Sequence, residues 1–236
     1  MSNSSFQFKQ FTIHHDLCAM KVGTDGVLLG AWTEVGENTK KILDIGTGSG
    51  LIAIMLAQKS NALITGIDID NNAIEQARIN SNNTPWSKRL SFHCENAETF
   101  QEEDTYSLIV CNPPFFQNSL HGPDSRRNDA RHTSSLSFVS LINTAYKSLC
   151  DNGFFNVILP FNSTYNFIQS AWERGLNLHK KCIVYTKYST TPKRVLLSFK
   201  KGTTTYPSIE TLYIKDENGE YTETFKELTK DYYLNF

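Results

Sequence analysis

The chain has no apolar run approaching the 18 or so residues that a membrane-crossing helix needs, so no span is expected. It has no CxxC pair. Its five cysteines, Cys18, Cys94, Cys111, Cys150 and Cys182, are odd in number and scattered, which argues against a disulfide framework and against a zinc site. His14, His15 and His121 lack metal-ligand spacing, and no metal is expected. Met1 to Ser5 carries no basic segment leading into an apolar one, so no export signal is read and a reduced, cytoplasmic setting is expected. An excess of charge of one sign is missing as well. The net charge is −1, so no global field draws the protein to a polyanion, and any nucleic-acid binding must come from local asymmetry.

What is present suits one packed domain. The 236 residues are 39% hydrophobic, a normal fraction for a core of that size. From Lys40 short β-rich runs alternate with helical patterns, which predicts an α/β fold, a doubly wound and mostly parallel sheet. Strands are expected over 41–45, 62–68, 90–94, 107–111, 153–159, 181–185 and 194–199, seven in all. Helices are expected over 51–58, 72–80, 136–149 and 165–174. The last two strands are joined by Ser189-Thr190-Thr191-Pro192, too short for a crossover, so the last strand should run antiparallel. Residues 1–39 read as an N-terminal cap over the site, 40–201 as the core and 202–236 as a C-terminal extension. Phe6, Phe8, Phe11, Tyr232, Tyr233 and Phe236 read as docking anchors for these ends.

Asp44-Ile45-Gly46-Thr47-Gly48-Ser49-Gly50 lies between a strand and a helix, where glycines allow a sharp turn and close approach of a ligand to the backbone. Asp68 ends the next strand, where a carboxylate can accept from both hydroxyls of a ribose. Together they predict an adenosine-bearing cofactor. The spacing GxGxG departs from the nicotinamide fingerprint. A carboxylate at Asp44 would repel a pyrophosphate and attract an ammonium, which favours S-adenosylmethionine. Thr47 and Ile69 join this expected cofactor set. Asn96 and Ala97 follow the third strand, where an amide or a small residue can meet an adenine edge; they suit an ordinary loop start equally well.

The fourth expected strand runs into Asn112-Pro113-Pro114-Phe115, a stiff turn. An exocyclic amino nitrogen is a poor nucleophile because its lone pair is delocalised into the ring. The Asn112 side-chain oxygen and the Pro113 carbonyl can accept its two N–H bonds, aim the lone pair and favour the tetrahedral transition state. Phe115 offers a face on which a flipped-out base can stack. If this strand neighbours the first, Gly46 and Asn112 face each other across the crevice where a doubly wound sheet binds ligands.

DIGTGSG, GIDID and NPPF, in this order, resemble the class I methyltransferases of amino nitrogens. Met20 to Trp32 (MKVGTDGVLLGAW), and NPPFF followed by Arg126 to His132 (RRNDARH), are similar to the bacterial family that methylates N6 of adenosine 37 in a valine tRNA. The likeness runs over about residues 6–236. It implies cofactor roles for Asp44, Gly46, Gly48, Gly50 and Asp68, target-base roles for Asn112, Pro113, Pro114 and Phe115, and a place for Thr24 near the methionine end of the cofactor. The residues themselves leave three enzymatic targets open: adenine N6, guanine N2 and a protein glutamine amide. A cofactor-binding protein without catalysis is a fourth reading, disfavoured by the intact turn.

Two segments bear on an RNA partner. Leu178 to Lys201 holds seven Lys/Arg and no acid, whereas the stretch after Gly202 holds seven acids and three lysines. A basic strand pair at the sheet edge suits a phosphate backbone, or equally an edge charged against pairing with other sheets. Residues 117–135, with Arg126, Arg127, Arg131 and His132, read as a lid over substrate or as a loop whose arginines pair with Asp124 and Asp129.

Overall fold

A computed structural model describes residues 4–114 and 136–235. Phe115, the expected lid at 117–135 and Phe236 lie outside the described residues. In chain order the elements are β1 (Ser5–Gln7), β2 (Thr12–His14), α1 (Thr24–Trp32), β3 (Lys41–Ile45), α2 (Leu51–Lys59), β4 (Leu63–Asp68), α3 (Asn71–Asn82), β5 (Leu90–Cys94) and β6 (Tyr106–Cys111). They continue with α4 (Phe138–Ser148), β7 (Leu149–Pro160), α5 (Thr164–Glu173), β8 (Leu176–Lys187), β9 (Arg194–Lys201), β10 (Ser208–Lys215) and α6 (Glu223–Thr229).

β1 and β2 form a small hairpin; the other strands make one sheet in the order β10-β8-β9-β7-β6-β3-β4-β5. Among the described strands of this sheet, only β9 runs against its neighbours. β3 is buried on both faces, as a central parallel strand must be: Ile42 packs with Leu56, Ile74 and Val110 on one side, Leu43 and Ile45 with Ile109, Leu141 and Val157 on the other. Helices therefore cover both faces, α1, α2, α3 and α6 on the first, α4 and α5 on the second. Phe8, Phe11, Ile13 and Tyr232 join a third cluster with Val27, Leu51 and Met55, which seats both chain ends against α1 and α2.

Two expectations are corrected. The sheet has eight strands rather than seven, because the C-terminal extension supplies β10, parallel to β8. Its Leu212 is buried against Phe225 of α6 while Ile209 is 67% exposed, so the strand lacks the clean alternation that would have marked it. The basic pair β8 and β9 accordingly lies inside the sheet, not at its edge. Three of its cations are also engaged within the protein: Lys180 with Glu34 and Glu210 (2.8 and 3.1 Å), Arg194 with Asp25 (2.8 Å) and Lys201 with Asp104 (2.7 Å).

Candidate active site

β3 connects onward to β4 on one side while β6 pairs on the other, so strand order reverses between β3 and β6. The register pairs Ile45 with Cys111, so that Gly46 and Asn112 leave the sheet side by side. A cavity of about 510 Å³ opens there, at the carboxyl ends of β3 to β6. Of the expected residues, Gly46, Gly48, Asp68, Ile69, Asn96, Ala97, Asn112, Pro113 and Pro114 line it.

Gly46 and Gly48 have φ of +69° and +54°, a region that L side chains avoid, and a Cβ at either would meet no protein atom within 4 Å. The loop therefore shows bare backbone to the cavity. Asp68 is fixed beside it: one carboxylate oxygen accepts from the Gly48 amide (2.9 Å) and the other from the Asp70 amide (3.0 Å). Each oxygen retains a lone pair for a ligand hydroxyl. Ile69, 61% exposed, offers an apolar face at the rim. Asn96 spends its side-chain oxygen on the Glu98 amide (2.9 Å), and the Ala97 carbonyl accepts from Thr144 of α4 (2.7 Å), which holds that wall in place.

The structure does not bring Thr24, Asp44, Thr47 or Gly50 into the cavity wall. Thr24 is exposed at the start of α1; two residues on, Gly26 lies against the amide of Asn112, 4.0 Å from the place of its Cβ. Gly50 turns the chain into α2 at φ +80°, where a Cβ would lie 3.2 Å from that of Ala77. Asp44 is fully buried under the loop. One oxygen accepts from the Thr47 hydroxyl (2.7 Å) and the Ala53 amide (3.2 Å), and the other has no hydrogen-bond partner. Burial pushes its pKa up to about 7, against the pull of those two donors. A buried carboxylate with an unused acceptor is stabilised by positive charge nearby, which fits a cationic ligand above the loop.

Cys18, Ala19 and Met20, a strap from the N-terminal segment expected to cap the site, though not as named contacts, line the cavity. Asp70, Glu95, Glu98, Leu136 and Ser137, which were not anticipated, line it too. The strap is held by α3. Buried Asn80 donates to the carbonyls of His14 and Ser49 (both 2.8 Å) and accepts from the His14 amide (3.0 Å), so one side chain joins the end of β2, from which the strap departs, to the glycine loop. Gln76, one turn earlier, accepts from the Leu17 amide (3.1 Å). Both sit on the buried stripe of α3 with Ala73 and Ala77; they are not among the expected residues, and polar residues at helical core positions are the signal that would have found them.

Among the described residues lining the cavity there are four carboxylates, Asp68, Asp70, Glu95 and Glu98, and no Lys, Arg or His. A dinucleotide pyrophosphate would be repelled here, and a sulfonium or ammonium attracted. The two wall thiols are held protonated. Burial and then the carboxylates Asp68, Asp70 and Asp16 raise Cys18 to about 11, and burial, with Asp44 and Asp68 behind it, raises Cys111 well above the usual thiol range. Neither is poised as a nucleophile, so the wall offers hydrogen bonding and electrostatics rather than covalent attack.

The sequence matches the family described as "Methyltransferase small domain" over residues 23–168. Among curated proteins it is 46% identical to a tRNA1(Val) (adenine(37)-N6)-methyltransferase of Phocaeicola vulgatus, with all of both chains covered. It is 42% identical to the protein of that name from Bacteroides fragilis, with 99% of each covered. Among solved structures, a predicted O-methyltransferase of Agrobacterium tumefaciens superimposes with a TM-score of 0.69 at 17% identity, covering 88% of this chain and 96% of that one. A putative class I S-adenosylmethionine-dependent methyltransferase of Listeria monocytogenes gives 0.58 at 12% identity, over 79% and 62%. Identities this low speak for the fold alone, but the full-length relatives speak for more: the chain belongs to the tRNA1(Val) (adenine(37)-N6)-methyltransferase family of S-adenosylmethionine-dependent enzymes.

Proposed function

We propose that the protein transfers a methyl group to N6 of adenosine 37 in a valine tRNA, and that the Asn112–Pro114 turn holds the target nitrogen. The observation that carries this is the position of that turn: it forms one wall of an acidic cavity whose opposite wall is Gly48 and Asp68.

S-adenosylmethionine, when bound, supplies an electrophilic methyl on a sulfonium. Asp68 would hold its ribose hydroxyls with the lone pairs left by Gly48 and Asp70, while Ile69 and Ala97 flank its adenine. Asp44 acts from beneath the loop through its field, and the four wall carboxylates favour the positive charge. Thr47 and Gly50 support the loop rather than touch the cofactor, and Thr24 acts through the helix that abuts Asn112.

Half-buried Asn112 and buried Pro113 are stiffened by the proline pair, so little orientation entropy is lost when a base arrives. The Asn112 side-chain oxygen and the Pro113 carbonyl accept the two N–H bonds of the amino group and draw the nitrogen toward tetrahedral geometry. No base need act beforehand, because the methylated nitrogen is acidic and releases its proton after transfer. The protonated state of Cys18 and Cys111 accords with a direct transfer.

Incubation with tritiated S-adenosylmethionine and bulk tRNA from a strain lacking the gene is expected to label one tRNA, with the label recovered as N6-methyladenosine. Label in ribosomal RNA, DNA or protein and none in tRNA would overturn the assignment.

A further inference from the structure

On one face of the sheet α5 lies over β7 to β9, and beyond it β8 and β10 extend as a two-strand surface. Alternation along the strands and their register place Lys181 beside Ile209, Ile183 beside Thr211, Tyr185 beside Tyr213 and Lys187 beside Lys215 on this surface. The rings of Tyr185 and Tyr213 stack with centroids 4.8 Å apart, which places these two on one face, and Tyr188 adds a third ring 4.5 Å from Tyr213. The only carboxylate on either strand, Glu210, is turned to the opposite face, where it meets Lys180 and Trp32. The exposed side of β8 and β10 therefore carries cations and aromatic rings with no acid from either strand.

α5 continues this surface. Tyr165 and Trp172, two turns apart on the helix, are 76% and 67% exposed, and with Lys181 and Ile168 they line a groove of about 630 Å³. A tryptophan left this open, next to a lysine, marks a contact surface rather than a solvated helix face. Among the described residues neither Lys181 nor Lys187 forms an ion pair. Because β8 and β10 run parallel to β6, their carboxyl ends, with Lys187 and Lys215, reach the same edge of the sheet as Asn112. Cys111 stands level with Val157, Leu197 and Lys181. Lys187 and Lys215 therefore lie three and four strands aside and about five residues further along, roughly 22 and 25 Å from Asn112, a few nucleotides along an extended strand.

We infer that this surface is an RNA platform: bases of the tRNA substrate stack on Trp172 and Tyr165, and Lys181 and Lys187 take phosphates on either side. Planar faces interleaved with unpaired cations suit a single-stranded or loop segment, where bases are free to splay and stack. Once Lys180, Arg194 and Lys201 are engaged within the protein, four lysines of the basic stretch remain for a ligand, and Lys181 and Lys187 are the two that lie on this face with the aromatic rings. The inference rests on the assignment of tRNA as substrate, and it deepens that reading by naming the surface that grips it.

The test uses the full chain and three proteins: wild type, Trp172→Ala and Lys181→Glu/Lys187→Glu. Binding of bulk tRNA is measured at two salt concentrations, together with S-adenosylmethionine affinity, thermal melting and sedimentation. Trp172→Ala is expected to raise the tRNA Kd roughly tenfold. The double variant should raise it at least as far and flatten the salt dependence by roughly 1.5 in slope. Cofactor affinity should stay within about twofold in both, because the platform is remote from the cavity. Unchanged tRNA Kd and salt slope in well-folded variants would overturn the platform. So would a change in sedimentation alone, which would make the surface a contact between copies of the chain. If Lys181→Glu/Lys187→Glu melts early, Lys181→Gln/Lys187→Gln is read in its place. Wild-type protein that binds tRNA through these residues yet labels none would refute the proposed reaction while leaving the platform standing; labelling that survives intact in both variants would do the reverse.

Discussion

The cavity at the carboxyl ends of β3 to β6 and the open face of β8 and β10 are opposites in charge. The first gathers four carboxylates and, among the described residues, no cation; the second shows lysines and aromatic rings and no carboxylate from its strands. Over the whole chain 23 Lys/Arg offset 24 Asp/Glu, a net charge of −1, which is why composition hides both regions. A methyltransferase acting on RNA must hold a cationic cofactor and a polyanion at once. Keeping the two fields on separate stretches of one sheet edge prevents either ligand from occupying the other's place.

The largest effect expected is at the turn between these regions. Asn112→Ala should lower kcat about a hundredfold or more, some 3 kcal/mol of transition-state stabilisation, and leave cofactor affinity nearly unchanged. Equal loss of both would mean that Asn112 merely shapes the cavity. Next is Asp68→Ala, which removes the carboxylate proposed to accept from the cofactor ribose and should weaken S-adenosylmethionine by about 1.5–3 kcal/mol in calorimetry while tRNA affinity stays fixed. A matching fall in tRNA affinity would break the separation of the two regions.

Asn80→Ala leaves the His14 and Ser49 backbone groups without partners and should cost about 1–3 kcal/mol in denaturant unfolding. It should also raise the cofactor KM more than it lowers kcat, since the end of β2, from which the strap departs, and the glycine loop lose their common tie. A stability loss with an unmoved KM would reduce Asn80 to a packing role.

A smaller effect concerns pH. The folded Asp44 carboxyl titrates at about 7 rather than 3.8, so between those values the folded chain binds more protons than the unfolded one, and stability falls as pH rises. A cation above the loop favours the ionised form, so cofactor affinity should rise severalfold from pH 6 to pH 8. Asp44→Asn should flatten both slopes. An unchanged pH profile in that variant would remove Asp44 from the account.

What was legible in the sequence follows from where chemistry meets the chain. Gly46, Gly48, Asp68 and Asn112 sit at strand ends, where local pattern alone locates a residue in a doubly wound sheet. The strap at Cys18 to Met20 has no such pattern; Asn80 and Gln76 of α3 hold the chain leading into it at His14 and Leu17. Asp44 and Thr47 read as ligand contacts because their spacing is right, yet burial places them beneath the loop, and one-dimensional spacing does not show depth. β10 was missed because its open face carries Ile209 and Tyr213 while Leu212 is buried on the other, so apolar and polar residues do not alternate along it. The basic stretch was visible as charge, but which lysines remain for a ligand depended on partners as distant as Asp25 and Asp104.

The most direct test of the central claim uses two transcripts of the valine tRNA, one with adenosine at position 37 and one with guanosine there. With S-adenosylmethionine and the wild-type protein, mass spectrometry of the nucleosides should find N6-methyladenosine from the first and no methylated nucleoside from the second. Methylation of the guanosine transcript at a comparable rate, or of both at some other position, would contradict the account.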